Sequence, residues 1–185
     1  FQTIDLSDSL EFQLITGDEI RLRGSDARIL WDKNNLIFRA ARLLQQSFAE
    51  GRGVDIRVVK NIPAGRGLGG GSSNAAMTLF ALNRLWRLGL SRRELGQMAA
   101  ALGADVSYFL DGGLCLGEGR GDEITRLPDL NPHFCVLVLP SFPILTADIY
   151  SRLCLTSPGK DSKINQFLAR REFGLLENRL EETVF

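Results

Sequence analysis

Apolar positions along the chain recur at spacings that separate strand from helix. Val54, Ile56 and Val58 alternate with Asp55 and Arg57, the period of a half-buried strand. Leu10, Phe12 and Leu14 alternate likewise, and Ile20 and Leu22 follow beyond a turn-like Gly17-Asp18. This pattern predicts a β-hairpin. Leu36, Ala40, Leu43 and Leu44 predict a helix reaching about Glu50, with Asn34 or Asn35 as its cap. Ala75, Leu79, Leu82 and Trp86 recur at three- and four-residue intervals, one face of a helix packed on a core. Arg84 and Arg87 sit near its end, where cations suit the helix dipole. Ser91 and Glu94 form a capping box for a further helix toward Leu102, ended by Gly103. Residues 105–110 suit a short helical turn, and 113–116 and 122–127 suit strands. The nearly continuous apolar run at 134–139 predicts a strand buried on both faces. Residues 147–155 read as a short helix, Ser157-Pro158-Gly159 as a linker, and the remainder as the helical start of a second unit. The expected class is α+β; local pattern gives no topology.

Between the strand at 54–59 and the helix beginning near Ser72 lies the segment with the clearest chemistry. Pro63 ends the strand, because it cannot donate to a ladder. Gly65, Gly67, Gly69, Gly70 and Gly71 then surround Arg66 and Leu68, and Ser72, Ser73 and Asn74 open the helix. Glycines let backbone approach a ligand closely, and the free N–H groups of a helix start attract anions. Strand, glycine loop and helix in this order predict a phosphate cradle; a flexible linker does not fit between such flanks. It is not a Walker A loop, which requires Lys and then Ser or Thr after the last glycine. The only Gly-Lys pair, Gly159-Lys160, precedes Asp161 and lacks the upstream glycine. Gly65, Gly67 and Gly70 satisfy G-x-G-x-x-G, but no acid lies between Gly71 and Arg93 to hold a ribose.

Charge narrows the partners. Lys plus Arg equals Asp plus Glu at 22 each, and a neutral chain without a basic run disfavours nucleic acid. No apolar run reaches membrane-spanning length, and no signal peptide is visible. Cys115, Cys135 and Cys154 are odd in number and set among apolar residues. They predict reduced, buried thiols in a cytoplasmic protein. His133, the only histidine, is expected in a loop.

The motifs together resemble the GHMP kinases, small-molecule kinases with neither a Walker A loop nor a protein-kinase fold. The segment P-A-G-R-G-L-G-G-G-S-S-N-A-A resembles their second motif, with Arg66 where the family more often has Ala or Gly. Phe1-Gln2-Thr3-Ile4 with Leu6, Asp8 and Leu10, Asn35-Leu36-Ile37 with Arg39-Ala40-Ala41, and Gly103-Ala104-Asp105-Val106 match further family segments in order. So do Glu118-Gly119-Arg120-Gly121 and the stretch from Pro140 to Tyr150. The triple glycine points to the branch that phosphorylates the 2-hydroxyl of 4-diphosphocytidyl-2-C-methyl-D-erythritol in non-mevalonate isoprenoid biosynthesis. The resemblance implies a ribosomal protein S5 domain 2-like fold over 1–156 and the start of a ferredoxin-like domain over 157–185. The family's lysine-bearing strand and D-G-Y-H segment would precede Phe1, and its G-S-G motif would follow Phe185. The chain is therefore expected to be an internal part of a kinase, with little activity alone.

The resemblance also implies ATP and Mg²⁺ as cofactors and a cytidine-diphosphate sugar alcohol as acceptor. Pro63, Gly65, Gly67, Leu68, Gly69, Gly70, Gly71, Ser72, Ser73 and Asn74 would hold the ATP phosphates, with Ser72 or Ser73 beside the magnesium shell. Asn74 suits ribose, phosphate or the helix start alone. Asn35 suits adenine contact and helix capping equally. From the residues alone, Asp105 suits either a turn cap or a carboxylate offered to substrate; the resemblance selects the second. Tyr150 would stack on the cytosine ring, against the alternative of a core aromatic. Thr146 and Gly119 would contact the same substrate. The competing readings are a GHMP kinase for another small alcohol and a non-catalytic nucleotide-binding module.

Overall fold

A computed structural model describes residues 1–139, 162–170, 172–176, 178 and 181. Strand β3, Gly53–Val59, lies at the centre of a three-stranded sheet of order β1-β3-β2. Strand β1, Ser9–Ile15, pairs with it antiparallel, setting Leu10 opposite Val58, Phe12 opposite Ile56 and Leu14 opposite Val54. Strand β2, Ile20–Gly24, runs parallel along its other edge, with Leu22 beside Ile56. The expected hairpin of β1 with β2 is therefore corrected: the two strands are consecutive but not adjacent. Val54, Ile56 and Val58 are buried, whereas β1 and β2 carry the charged Glu11, Arg21 and Arg23 that suit sheet edges. The most buried strand takes the position with two ladders. A parallel β2–β3 pair needs a crossover, which helix α1 supplies.

Helix α1, Leu36–Phe48, starts where Asn35 accepts a hydrogen bond from the Ile37 N–H at 3.0 Å. Ile37, Ala40, Ala41 and Leu44 form its buried stripe. Helix α2, Gly70–Leu85, buries Ala75, Leu79 and Leu82, with Trp86 just beyond its end. Helix α3, Arg92–Leu102, begins with the expected capping box: Glu94 accepts from the Ser91 N–H at 2.8 Å, and Ser91 accepts from the Glu94 N–H at 3.3 Å. Helix α4, Ala104–Asp111, follows Gly103. The helices and the apolar face of the sheet enclose one core. Strands β4, Cys115–Glu118, and β5, Glu123–Arg126, form an antiparallel hairpin near the two strands expected there.

Two further expectations change. The run at 134–139 forms no regular strand, and Phe134, Val136 and Val138 are exposed. An apolar run becomes a strand only where a partner satisfies its backbone groups, and no ladder among the described residues provides one. Cys135 is accordingly exposed, not buried; Cys115 is buried, and Cys154 lies outside the described residues. His133 lies in a loop.

The chain divides into compact units Phe1–Leu137 and Val138–Phe185. In the second, helix α5, Ser162–Arg170, and a 3₁₀ turn, Phe173–Leu175, are described. The expected helix at 147–155 and domain boundary after 156 fall outside the described residues. No helix among the described residues is long and apolar enough to cross a membrane.

Candidate active site

Beyond β3 the chain passes through Lys60, Asn61 and Ile62 into the glycine loop. Gly65, Gly67 and Gly69 have φ of 69°, 70° and 66°, and the intervening Arg66 and Leu68 have no positive φ. Such alternation resembles an anion-binding nest, in which successive N–H groups converge on one concavity. Gly69 is the cap of α2, which therefore starts two residues before the expected Ser72. The Ser73 N–H donates to the Gly69 carbonyl at 2.8 Å. The N–H groups of Gly70, Gly71 and Ser72 precede that bond and are not used within the helix. Ser72 and Ser73 are half-buried in this first turn, and Pro63 is half-buried at the loop's entrance.

The glycines are not equivalent. A Cβ on Gly65 or Gly67 would meet nothing within 4 Å, so open space lies over the loop. A Cβ on Gly69 would lie 2.7 Å from Phe109 Cε2, and one on Gly70 would lie 2.9 Å from Ile62 Cγ2. At Gly71 the nearest atom is Leu36 Cδ1 at an ordinary 3.8 Å. Gly69→Ala combines a clash with a left-handed φ and should cost about 1–3 kcal/mol. Gly71→Ala should leave stability unchanged or slightly raised, since Ala is favoured inside a helix. Urea unfolding midpoints check this contrast, and equal midpoints for the two variants would contradict it.

Asp8 anchors the loop from beneath. Its side chain is fully shielded from solvent and pairs with the ammonium of Lys60, whose side chain is only 7% exposed. One oxygen accepts from the Asn61 and Ile62 N–H groups, each at 2.8 Å. The other accepts from the Asn74 side-chain amide at 2.8 Å. One carboxylate thereby ties the end of β3 to the first turns of α2 and fixes both ends of the loop. Burial pushes this carboxyl upward, but the Lys60, Ile62, Asn74 and Asn61 hydrogen bonds outweigh it and hold it below its ordinary value. The sequence reading gave Asp8 no role. The signal was its parity: Asp8 shares the alternation of Leu6, Leu10 and Phe12, all at partly buried positions.

Asn74 is buried and turned to Asp8, which favours the reading that it serves the helix start. Asn35 caps α1, and its amide donates to the Leu30 carbonyl at 3.0 Å. Arg66 is half-buried in the loop.

Helix α4 reaches this loop through Phe109, whose ring lies against Gly69. Asp105 is in the first turn of α4, exposed, one turn before Phe109. Residues four apart share a helix face, so Asp105 lies on the side of α4 that meets the loop. The cap of α4 is Gly103, and no side chain bonds there; the capping alternative for Asp105 is not realised. Gly119 is exposed in the β4–β5 turn with φ 62°. Thr146 and Tyr150 lie outside the described residues.

Comparison with known proteins agrees with this arrangement. Residues 35–113, which hold the loop and Asp105, match the GHMP kinases N terminal domain. A 4-diphosphocytidyl-2-C-methyl-D-erythritol kinase from Geobacillus sp. (strain WCH70) is 42% identical over 151 residues, 82% of this chain and 52% of the relative. One from Bacillus anthracis is 36% identical over 189 aligned positions, 99% of this chain and 65% of the relative. A crystal structure of 4-(cytidine 5'-diphospho)-2C-methyl-D-erythritol kinase superposes with a TM-score of 0.71 at 29% identity, covering 97% of this chain and 65% of that one. The chain thus spans between about half and two thirds of the length of these relatives. With its α+β architecture, its glycine loop at the start of α2 and these matches, the chain belongs to the GHMP kinase family.

Proposed function

We propose that the protein to which this chain belongs transfers the γ-phosphoryl group of ATP to the 2-hydroxyl of 4-diphosphocytidyl-2-C-methyl-D-erythritol. The observation that carries this reading is the open loop with left-handed Gly65, Gly67 and Gly69 leading into α2. The names of relatives at 36–42% identity supply the acceptor. Phosphoryl transfer depends on positioning and charge stabilisation more than on covalent chemistry by the protein. The open space that a Cβ on Gly65 or Gly67 would enter and the N–H groups of residues 70–72 fit a polyphosphate. In this reading the loop from Pro63 to Ser73 holds the β- and γ-phosphates, and Asn74 keeps the helix start in place.

Mg²⁺ bound with ATP would neutralise phosphate charge. Its oxygen ligands come largely from phosphate and water, with a Ser72 or Ser73 hydroxyl as the protein's share. Asp105, at the loop-facing side of α4, orients the acceptor hydroxyl or takes its proton. Tyr150, Thr146 and Gly119 complete the cytidine side, and residues 157–185 begin the family's C-terminal domain.

The test is ADP release by the full-length gene product with MgATP and 4-diphosphocytidyl-2-C-methyl-D-erythritol. Turnover above the ATP-only background is expected. Turnover with another small alcohol alone would replace the acceptor, and ATP binding without turnover would leave a nucleotide-binding module.

A further inference from the structure

A second concave surface lies between α1 and α3, built from none of the residues of the glycine loop or α4. It is an open cleft of about 490 Å³, a volume within the range of small-molecule sites. Phe38, Leu43 and Leu102 give it an apolar floor, and Lys33, Arg39 and Arg42 give it three cations. No acid lines it, although acids and bases balance over the whole chain. Among the described residues, none of the three cations forms an ion pair.

A solvated helix face commonly carries loose lysines and arginines, but Arg42 is held. Its Nη1 donates to Gln45 Oε1 at 2.7 Å. Gln45 is buried and donates in turn to the Asp18 and Arg52 carbonyls, each at 2.8 Å. The Arg42 guanidinium also lies 5.4 Å from the centre of the Phe38 ring, within cation–π range. A buried amide thus fixes a guanidinium over an aromatic ring, with no carboxylate to neutralise it. Guanidinium groups match phosphate geometry and stack on flat π-systems.

We propose that this cleft is a second ligand site, for a small organic phosphate with an aromatic or apolar body. The body rests on Phe38, Leu43 and Leu102, and the phosphate is held by Arg39, Arg42 and Lys33. The probe is 1-naphthyl phosphate, titrated calorimetrically into the full-length protein saturated with MgATP. One saturable site per chain is expected, weakened about tenfold or more by Arg39→Gln and by Arg42→Gln. Inorganic phosphate and neutral 1-naphthol should each bind at least about tenfold more weakly, because each lacks half of the recognition. Arg39 is exposed and its side chain has no partner among the described residues, so Arg39→Gln tests the cleft even where Arg42→Gln disturbs Gln45. Absence of saturable binding overturns the proposal. So does affinity unchanged in the Arg39→Gln variant, or binding seen only when ATP is left out, which would place the probe in the nucleotide site.

Discussion

Replacing Asp105 with asparagine in the full-length protein should slow phosphoryl transfer by about 10²–10⁴-fold, the usual contribution of a positioned acid or base. Folding and ATP binding should be preserved. Asp105 is exposed, its side chain bonds to no described residue and does not cap α4, so its loss should change stability by no more than about 0.5 kcal/mol. The glycine loop needs no contact with it: the part of α4 that touches the loop is Phe109, against Gly69. Asparagine keeps the shape of the side chain and a hydrogen-bonding oxygen while removing the capacity to take a proton. The defect should therefore appear in kcat, with little change in the affinity for MgATP. Three measurements separate the outcomes: ADP release, ATP titration and a thermal melt. Wild-type turnover by the variant would remove Asp105 from the chemistry. Lost turnover accompanied by a lowered melting temperature would instead make it a structural residue.

What could be read from the sequence was what local physics dictates. The helices α1, α2 and α3 and the strand β3 follow from periodicities of about 3.6 and 2 residues, and the capping residues Asn35 and Ser91 mark their starts. Gly65, Gly67 and Gly69 were legible because left-handed backbone strongly favours glycine. Strand order was not legible. Nothing in the turn after β1 reveals that β3, which begins only at Gly53, inserts between β1 and β2, since pairing is decided by burial across the whole sheet. The run at 134–139 failed for a related reason, because hydrophobicity records what a segment can bury and not whether a partner is present. In the site, residues whose role depends on backbone shape were readable, whereas Asn74 and Asp8 depend on a contact 66 positions apart in the chain. An acid just before β1, in phase with the partly buried Leu10 and Phe12, was the visible sign of that contact.

That contact supports the second large effect. Asp8→Ala should destabilise the domain by roughly 3–5 kcal/mol, the cost of leaving one member of a buried ion pair without its partner. The Lys60 ammonium would remain shielded with no counter-charge, and the Asn61 and Ile62 N–H groups and the Asn74 amide would lose their acceptor. Such a loss is a large fraction of an ordinary domain's stability of about 5–15 kcal/mol. Asp8→Asn, which retains an acceptor but no charge, should fall between the variant and the native protein. The same carboxylate gives an acid dependence with a definite sign. Its folded value lies below the ordinary 3.8, so the unfolded chain takes up the proton first as pH falls. The stabilisation is complete well above 3.8 and is lost as pH drops from there through the lower folded value. Asp26, held down to about 2 by Arg28, contributes a dependence of the same sign, so Asp8→Asn should flatten the acid limb without abolishing it. Urea midpoints at neutral pH and at steps below about pH 4 measure both effects. Parallel curves for native and Asp8→Asn proteins would mean that Asp8 is protonated alike in folded and unfolded chains. If the curves diverge as expected, nucleotide binding should weaken along with stability, because the bonds lost from Asp8 are those that fix both ends of the glycine loop.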